Sequence, residues 1–137
     1  MVVVFIAPEV SMPDMGVFRT TVLIENLAER GRTHALPDML VDTGSQYTWA
    51  PIDALVAIGI TPERSQRFIL TDGRTVERQM GVAMVHAGGT SAPDFVVFAE
   101  PGDLLLLGAR SLEGLNLRID PRRKILIDAG PIVAAAA

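Results

Sequence analysis

Leu40-Val41-Asp42-Thr43-Gly44-Ser45-Gln46-Tyr47-Thr48-Trp49-Ala50-Pro51 sets two apolar residues directly before an acid, a hydroxyl and a glycine. That order predicts a buried strand ending in a tight turn, with the Asp42 carboxylate emerging at the strand end, where a catalytic acid belongs. The Thr43 hydroxyl is placed to tie the turn down, and Gly44 lets the backbone approach a substrate or a second copy of the same loop. Asp42, Thr43 and Gly44 are therefore the candidate catalytic residues.

Upstream of this turn, residues 16–26 alternate with the period of a strand, and residues 28–33 form a polar hairpin loop. Leu36 to Val41 returns as the strand that delivers Asp42, and Pro37 puts its first part at a sheet edge. Downstream, Tyr47 to Ala50 is a short strand. Residues 51–58 form a helix that starts at Pro51, stops at Gly59 and turns Ile52, Leu55, Val56 and Ile58 inward. Thr71-Asp72-Gly73-Arg74 lies between Phe68-Ile69-Leu70 and Thr75-Val76-Glu77, and Asp-Gly between such runs is the strongest short hairpin signal. A further hairpin joins residues 81–85 to 95–99 around Ala87-Gly88-Gly89-Thr90. That Gly pair is a turn and no phosphate cradle, since neither a helix start nor Lys-Ser/Thr follows.

Leu104-Leu105-Leu106-Leu107-Gly108 reads as a core strand ending in glycine, followed by a short helix over residues 109–115. Residues 117–127 close the domain as a hairpin around Pro121. At the other end, Val2 to Ile6 is β-branched and aromatic, either a strand that pairs between subunits or a loose extension. The expected organisation is an N-terminal strand or extension over residues 1–15, one folded domain over 16–128 and a tail over 129–137.

Composition narrows the function classes. The 137 residues suffice for one domain, and 49% hydrophobic against 20% charged residues, with 12 Gly and 9 Pro, describe a turn-rich globular chain. A net charge of −4 and the lack of any basic run beyond Arg122-Arg123-Lys124 argue against a nucleic-acid partner. The sequence contains no cysteine, which excludes disulfides and thiolate metal sites; His34 and His86 stand apart with no zinc spacing, so neither metal nor cofactor is expected. The apolar opening is too short to span a membrane, and the expected location is the cytoplasm.

Asp42-Thr43-Gly44-Ser45 followed by Trp49 and Pro51 resembles the active-site turn of the pepsin-like aspartic proteases. A single copy in a chain of this length resembles the retropepsins and their bacterial relatives. Leu104 to Gly108, roughly 65 residues after Asp42, is similar to the hydrophobic-hydrophobic-Gly segment that lies beside the Asp loop in that family. The Asp72-Gly73 hairpin, beginning about 25 residues after the acid, occupies the place of the mobile flap. Retroviral members carry an Arg after the second motif's glycine and an acid two residues after the Gly of the turn; here those places hold Ala109 and Gln46.

The resemblance implies an all-β fold, a closed acid-protease barrel with one or two short helices, working as a homodimer. Two carboxyl groups must share a proton, one activating a water while the other donates to the carbonyl oxygen, and this chain offers one Asp-Thr-Gly. Each subunit would supply Asp42 across a two-fold axis. Two like charges so close do not both stay ionised, so activity needs a singly protonated pair and a bell-shaped pH profile. A peptide substrate would lie extended between the Asp loops and the flaps, meeting Gly44, Ser45, Asp72, Gly73 and Gly108, with apolar pockets sorting its side chains.

Two other readings stay open. One is a catalytically silent module of the same fold that dimerises or binds peptide, favoured by the polar flap. The other is a serine hydrolase built on Ser45 with His34 or His86, which lacks the Gly-x-Ser-x-Gly turn and any evident acid to orient the histidine.

Overall fold

The computed structural model describes residues 18–134. The expected strand over Val2 to Ile6 lies outside them. In chain order the elements are β1 (Arg19–Glu25), β2 (Thr33–Asp42), β3 (Thr48–Pro51), α1 (Ile52–Ala57), β4 (Arg64–Ile69), β5 (Thr75–Ala87), β6 (Thr90–Ala99), β7 (Leu106–Gly108), α2 (Ala109–Leu115), β8 (Leu117–Asp120) and β9 (Ile125–Asp128). Strand accounts for 52% and helix for 11%, so the fold is predominantly β, as expected.

Hydrogen-bonded neighbours run β1-β2-β7-β3-β6-β5, and β5 pairs back onto β1, which closes a six-strand barrel. Closure leaves β4 outside the ring, paired only with the first half of β5. β8 and β9 form a separate two-stranded sheet.

The strands around Asp42 are apolar on both faces, which explains their continuous hydrophobic runs. One face, with Val41, Ala50, Val96, Phe98 and Leu107, joins the main core with Leu55 of α1 and Leu112 of α2. The other face carries Trp49, Val97, Ala99 and Leu106, packed with Met80 and flanked by Tyr47, Phe68 and Leu70. This second cluster ties β4 to the loop after Asp42.

Pro37 has no N–H to give, and β2 meets β7 only from Leu40 onward, so Pro37 lies where one edge of β2 is open, as expected. The β1–β2 register slips nearby, between Thr20 and Val22, and Asp38 takes a positive φ of 59°. This irregularity restores the inward direction of Met39 and Val41 before Asp42.

Three expectations are corrected. Residues 75–77 and 81–85 belong to one 13-residue strand. Gly81 sits within it because a Cβ there would meet Ile60 Cγ2 and the Thr61 carbonyl oxygen at 2.9 Å, so the chain leaving α1 can pass close by. Leu55 and Ile58 are buried as expected, but Val56 is 60% exposed and Ala54 is buried in its stead; so short a helix offers too little periodicity to fix its face. Leu104 and Leu105 are 67% and 38% exposed, since pairing starts only at Leu106.

At the end of β1 the buried Glu25 carboxylate accepts from Gly31 N–H at 2.7 Å, and lies 2.7 Å from His86 Nε2 and 3.1 Å from Arg30 Nε. The Gly31 N–H, then Arg30 and His86, hold the Glu25 carboxyl down at about 2 against an ordinary 4.5. Because the folded value is the lower one, this contribution is complete above about pH 4.5 and fades as pH falls towards 2. Glu25→Gln should therefore have a lower urea midpoint than wild type at pH 7, with the two midpoints converging in acid. An equal gap at pH 7 and pH 2.5 would count against the assignment.

Candidate active site

Asp42 ends β2 as the parallel partner of Gly108, with Leu40 opposite Leu106 and Val41 opposite Leu107. The half-buried Asp42 closes its own turn. Gly44 N–H donates to Asp42 Oδ1 at 2.9 Å, and Ser45 N–H donates to the Asp42 carbonyl at 3.2 Å. Thr43 was expected to tie the turn, but among the described residues its hydroxyl has no partner; the aspartate carboxylate, one atom longer, reaches the N–H instead.

The loop beyond the turn is strapped to the start of α2. Ala109 N–H donates to the Ser45 carbonyl at 2.8 Å and Arg110 N–H to the Gln46 carbonyl at 2.9 Å. Main-chain bonds thus join the segment carrying Ser45 and Gln46 to the one carrying Ala109 and Arg110. Gly108 is buried beneath this loop, and a Cβ on it would run into the Tyr47 peptide, 2.5 Å from its carbonyl carbon and 2.8 Å from the Gln46 oxygen. The missing side chain at Gly108 lets the loop sit down on β7.

A buried polar chain, invisible in the sequence, underlies the same loop. Gly108 N–H donates to Thr48 Oγ1 at 3.0 Å, Thr48 Oγ1 lies 2.6 Å from Ser111 Oγ, and Ser111 Oγ–H donates to Asp94 Oδ2 at 3.0 Å. Phe95 N–H donates to Asp94 Oδ1 at 2.8 Å. Arg110 Nε approaches that oxygen at 3.6 Å while its guanidinium lies 5.3 Å from the Tyr47 ring centroid. Three short polar side chains on β3, β6 and α2 leave no spacing signal.

The β4–β5 hairpin carries Asp72 and Gly73 at its tip. Gly73 N–H donates to the Leu70 carbonyl at 2.9 Å, and Gly73 takes the φ of +90° that this turn requires. Arg74 donates to Asp72 through its backbone N–H (3.0 Å) and through Nε (2.7 Å), which holds the exposed Asp72 carboxyl below its usual range. Nearer the barrel, Phe68 of β4 packs on Trp49 and Tyr47, with ring centroids 5.0 and 6.1 Å apart. The hairpin base is clamped where Arg78 Nε and Nη2 donate to Asp103 Oδ2 and Oδ1, at 2.7 and 3.0 Å. The structure thus brings the hairpin's Phe68 against the loop that follows Asp42.

The histidines fall elsewhere. His34 Nδ1 contacts the Ala35 carbonyl, His86 belongs to the Glu25 cluster, and the Ser45 hydroxyl donates to the Tyr47 carbonyl at 3.2 Å. His86 does have an orienting acid, contrary to expectation, but Ser45 is bonded to neither histidine. An open groove of about 440 Å³ on the barrel wall, lined by Leu23, His86 and Ser91, contains neither Asp42 to Ser45 nor Asp72, Gly73 and Gly108. Among the described residues no group of three His, Cys, Asp or Glu could hold a metal ion, and no helix is long and apolar enough to cross a membrane.

No protein-family model matches the chain, and no curated protein matches it in sequence. What the fold and the site define is a class: a small, predominantly β protein with a closed six-strand barrel and few helices, compatible with an acid-protease-like barrel.

Proposed function

We propose that the chain is a retropepsin-like aspartic endopeptidase that works as a homodimer, with Asp42 of each copy sharing one proton. The observation that carries this reading is the register of Asp42 with Gly108 at the end of two parallel buried strands, beside a hairpin that packs on the following loop. One Asp42 would act as base on a water while the other donates to the scissile carbonyl oxygen. The Ser45 N–H and carbonyl and the Gly44 N–H are engaged within the protein, so the Gly44 carbonyl is the loop group that would meet an extended peptide. Tyr47, Phe68 and the exposed Leu104 and Leu105 supply apolar surface for its side chains. The substrate class is extended, largely apolar segments.

A mixed peptide library and the association state, measured together, test this. The expected result is a micromolar dimer that cleaves peptides, with a bell-shaped pH profile on the acidic side of neutrality. A rate still rising above about pH 8 would sink the shared-proton mechanism. The second reading, a silent peptide-binding or dimerisation module, rests on the hairpin tip, where Asp72 and Arg74 are bonded to each other. A dimer that binds peptide and cleaves none would establish it.

A further inference from the structure

We propose that Asp94 is a positioning residue for Asp42, setting the Asp42 turn through Ser111, Thr48 and Gly108; the catalytic part of this assignment rests on the protease reading above. The argument is one of proton direction. Ser111 has a single hydroxyl proton, and at Asp94 Oδ2 it meets an atom that only accepts. Ser111 Oγ must then accept from Thr48, whose own proton is thereby committed at 2.6 Å. Thr48 is left with lone pairs only, and one of them receives Gly108 N–H.

The carboxylate therefore orders the whole chain up to the residue paired with Asp42. Thr48 and Ser111 are 0% and 2% exposed, so water does not substitute for a missing partner. An apolar trio would pack this space equally well, but it would give the Gly108 N–H nothing to donate to. The other Asp94 oxygen holds Phe95 N–H and faces Arg110, which covers Tyr47, so one side chain braces both the turn and the wall beside it.

The test compares Asp94→Ala, Asp94→Asn and Thr48→Val with wild type, by amide hydrogen exchange and by peptide cleavage. Asp94→Ala should speed exchange at Gly108 and Gly44 about tenfold while Val85, in the barrel wall, is unchanged. With peptide, kcat should drop about 10- to 100-fold, with a smaller rise in KM from the loosened Tyr47 wall. Asp94→Asn should recover most of both, because its amide oxygen still accepts from Ser111. Thr48→Val should reproduce the Gly108 effect with Asp94 intact. Unchanged exchange at Gly108 and Gly44, or faster exchange at Val85 to the same degree, overturns the assignment. If wild type cleaves nothing, the protease reading fails and exchange alone decides the role of Asp94.

Discussion

Asp42→Asn is expected to lower peptide cleavage by about 10,000-fold, roughly 5.5 kcal/mol in the barrier. Asparagine has nearly the same shape, and its Oδ1 can still accept the Gly44 N–H that closes the turn. The barrel should stand, with a thermal midpoint within a few degrees of wild type. On the protease reading, what would be lost is the shared proton and the charge that activates water, and in a symmetric dimer both sides would lose them together. A sharper form mixes the variant in excess with wild type and lets subunits exchange. Each wild-type chain then meets a partner that carries the Asp42→Asn substitution, and activity per wild-type chain should collapse. Retention of a tenth or more of the activity by the pure variant would remove Asp42 from the chemistry. Full activity of exchanged mixtures would remove the two-copy site while leaving Asp42 in place.

Gly108→Ala should cost about 3 kcal/mol and lower the thermal midpoint by roughly 10 °C. The added methyl meets main chain, the Tyr47 carbonyl and the Gln46 oxygen, and a peptide cannot swing aside as a flexible side chain can. Relief would require the loop to rise, stretching the bonds from Ala109 to Ser45 and from Arg110 to Gln46. Gly73→Ala is the control: φ is +90° there, but the space is open, so only the conformational cost of about 1 kcal/mol is expected. Thermal unfolding of the two variants decides it. Equal midpoints would mean that the loop does not rest on Gly108.

The turn at Asp42, the Asp72-Gly73 hairpin and the glycine ending at Gly108 were legible because each depends on neighbours in the chain: an apolar run, a residue that tolerates positive φ, a strand that must stop. Leu104 and Leu105 were misjudged because a four-leucine run says nothing about where pairing begins. The extent of β5 was missed because Gly81 looks like a break, and only the approach of Ile60 and Thr61 shows why a glycine stands mid-strand. Asp94, Ser111 and Thr48 were out of reach for another reason. Ser111 and Thr48 lie 63 positions apart, and short polar residues at such separations are met everywhere on protein surfaces. The acid beside His86 hid in the same way, 61 residues upstream.

Those separations also bear on how the molecule comes into being. The bond from Gly108 to Thr48 spans 60 residues and that from His86 to Glu25 spans 61, so the ring is stitched at seams far apart in the chain. Loop-closure entropy makes such seams late events in folding, and a barrel held by them belongs with the slow folders. As the chain leaves the ribosome, Asp42 is made before β7 and α2, and its turn has nothing to rest on until those two have been synthesised and docked. A nascent or truncated chain ending before Leu106 therefore holds Asp42 without the strand that it pairs with, and the order of synthesis itself delays the geometry of this turn.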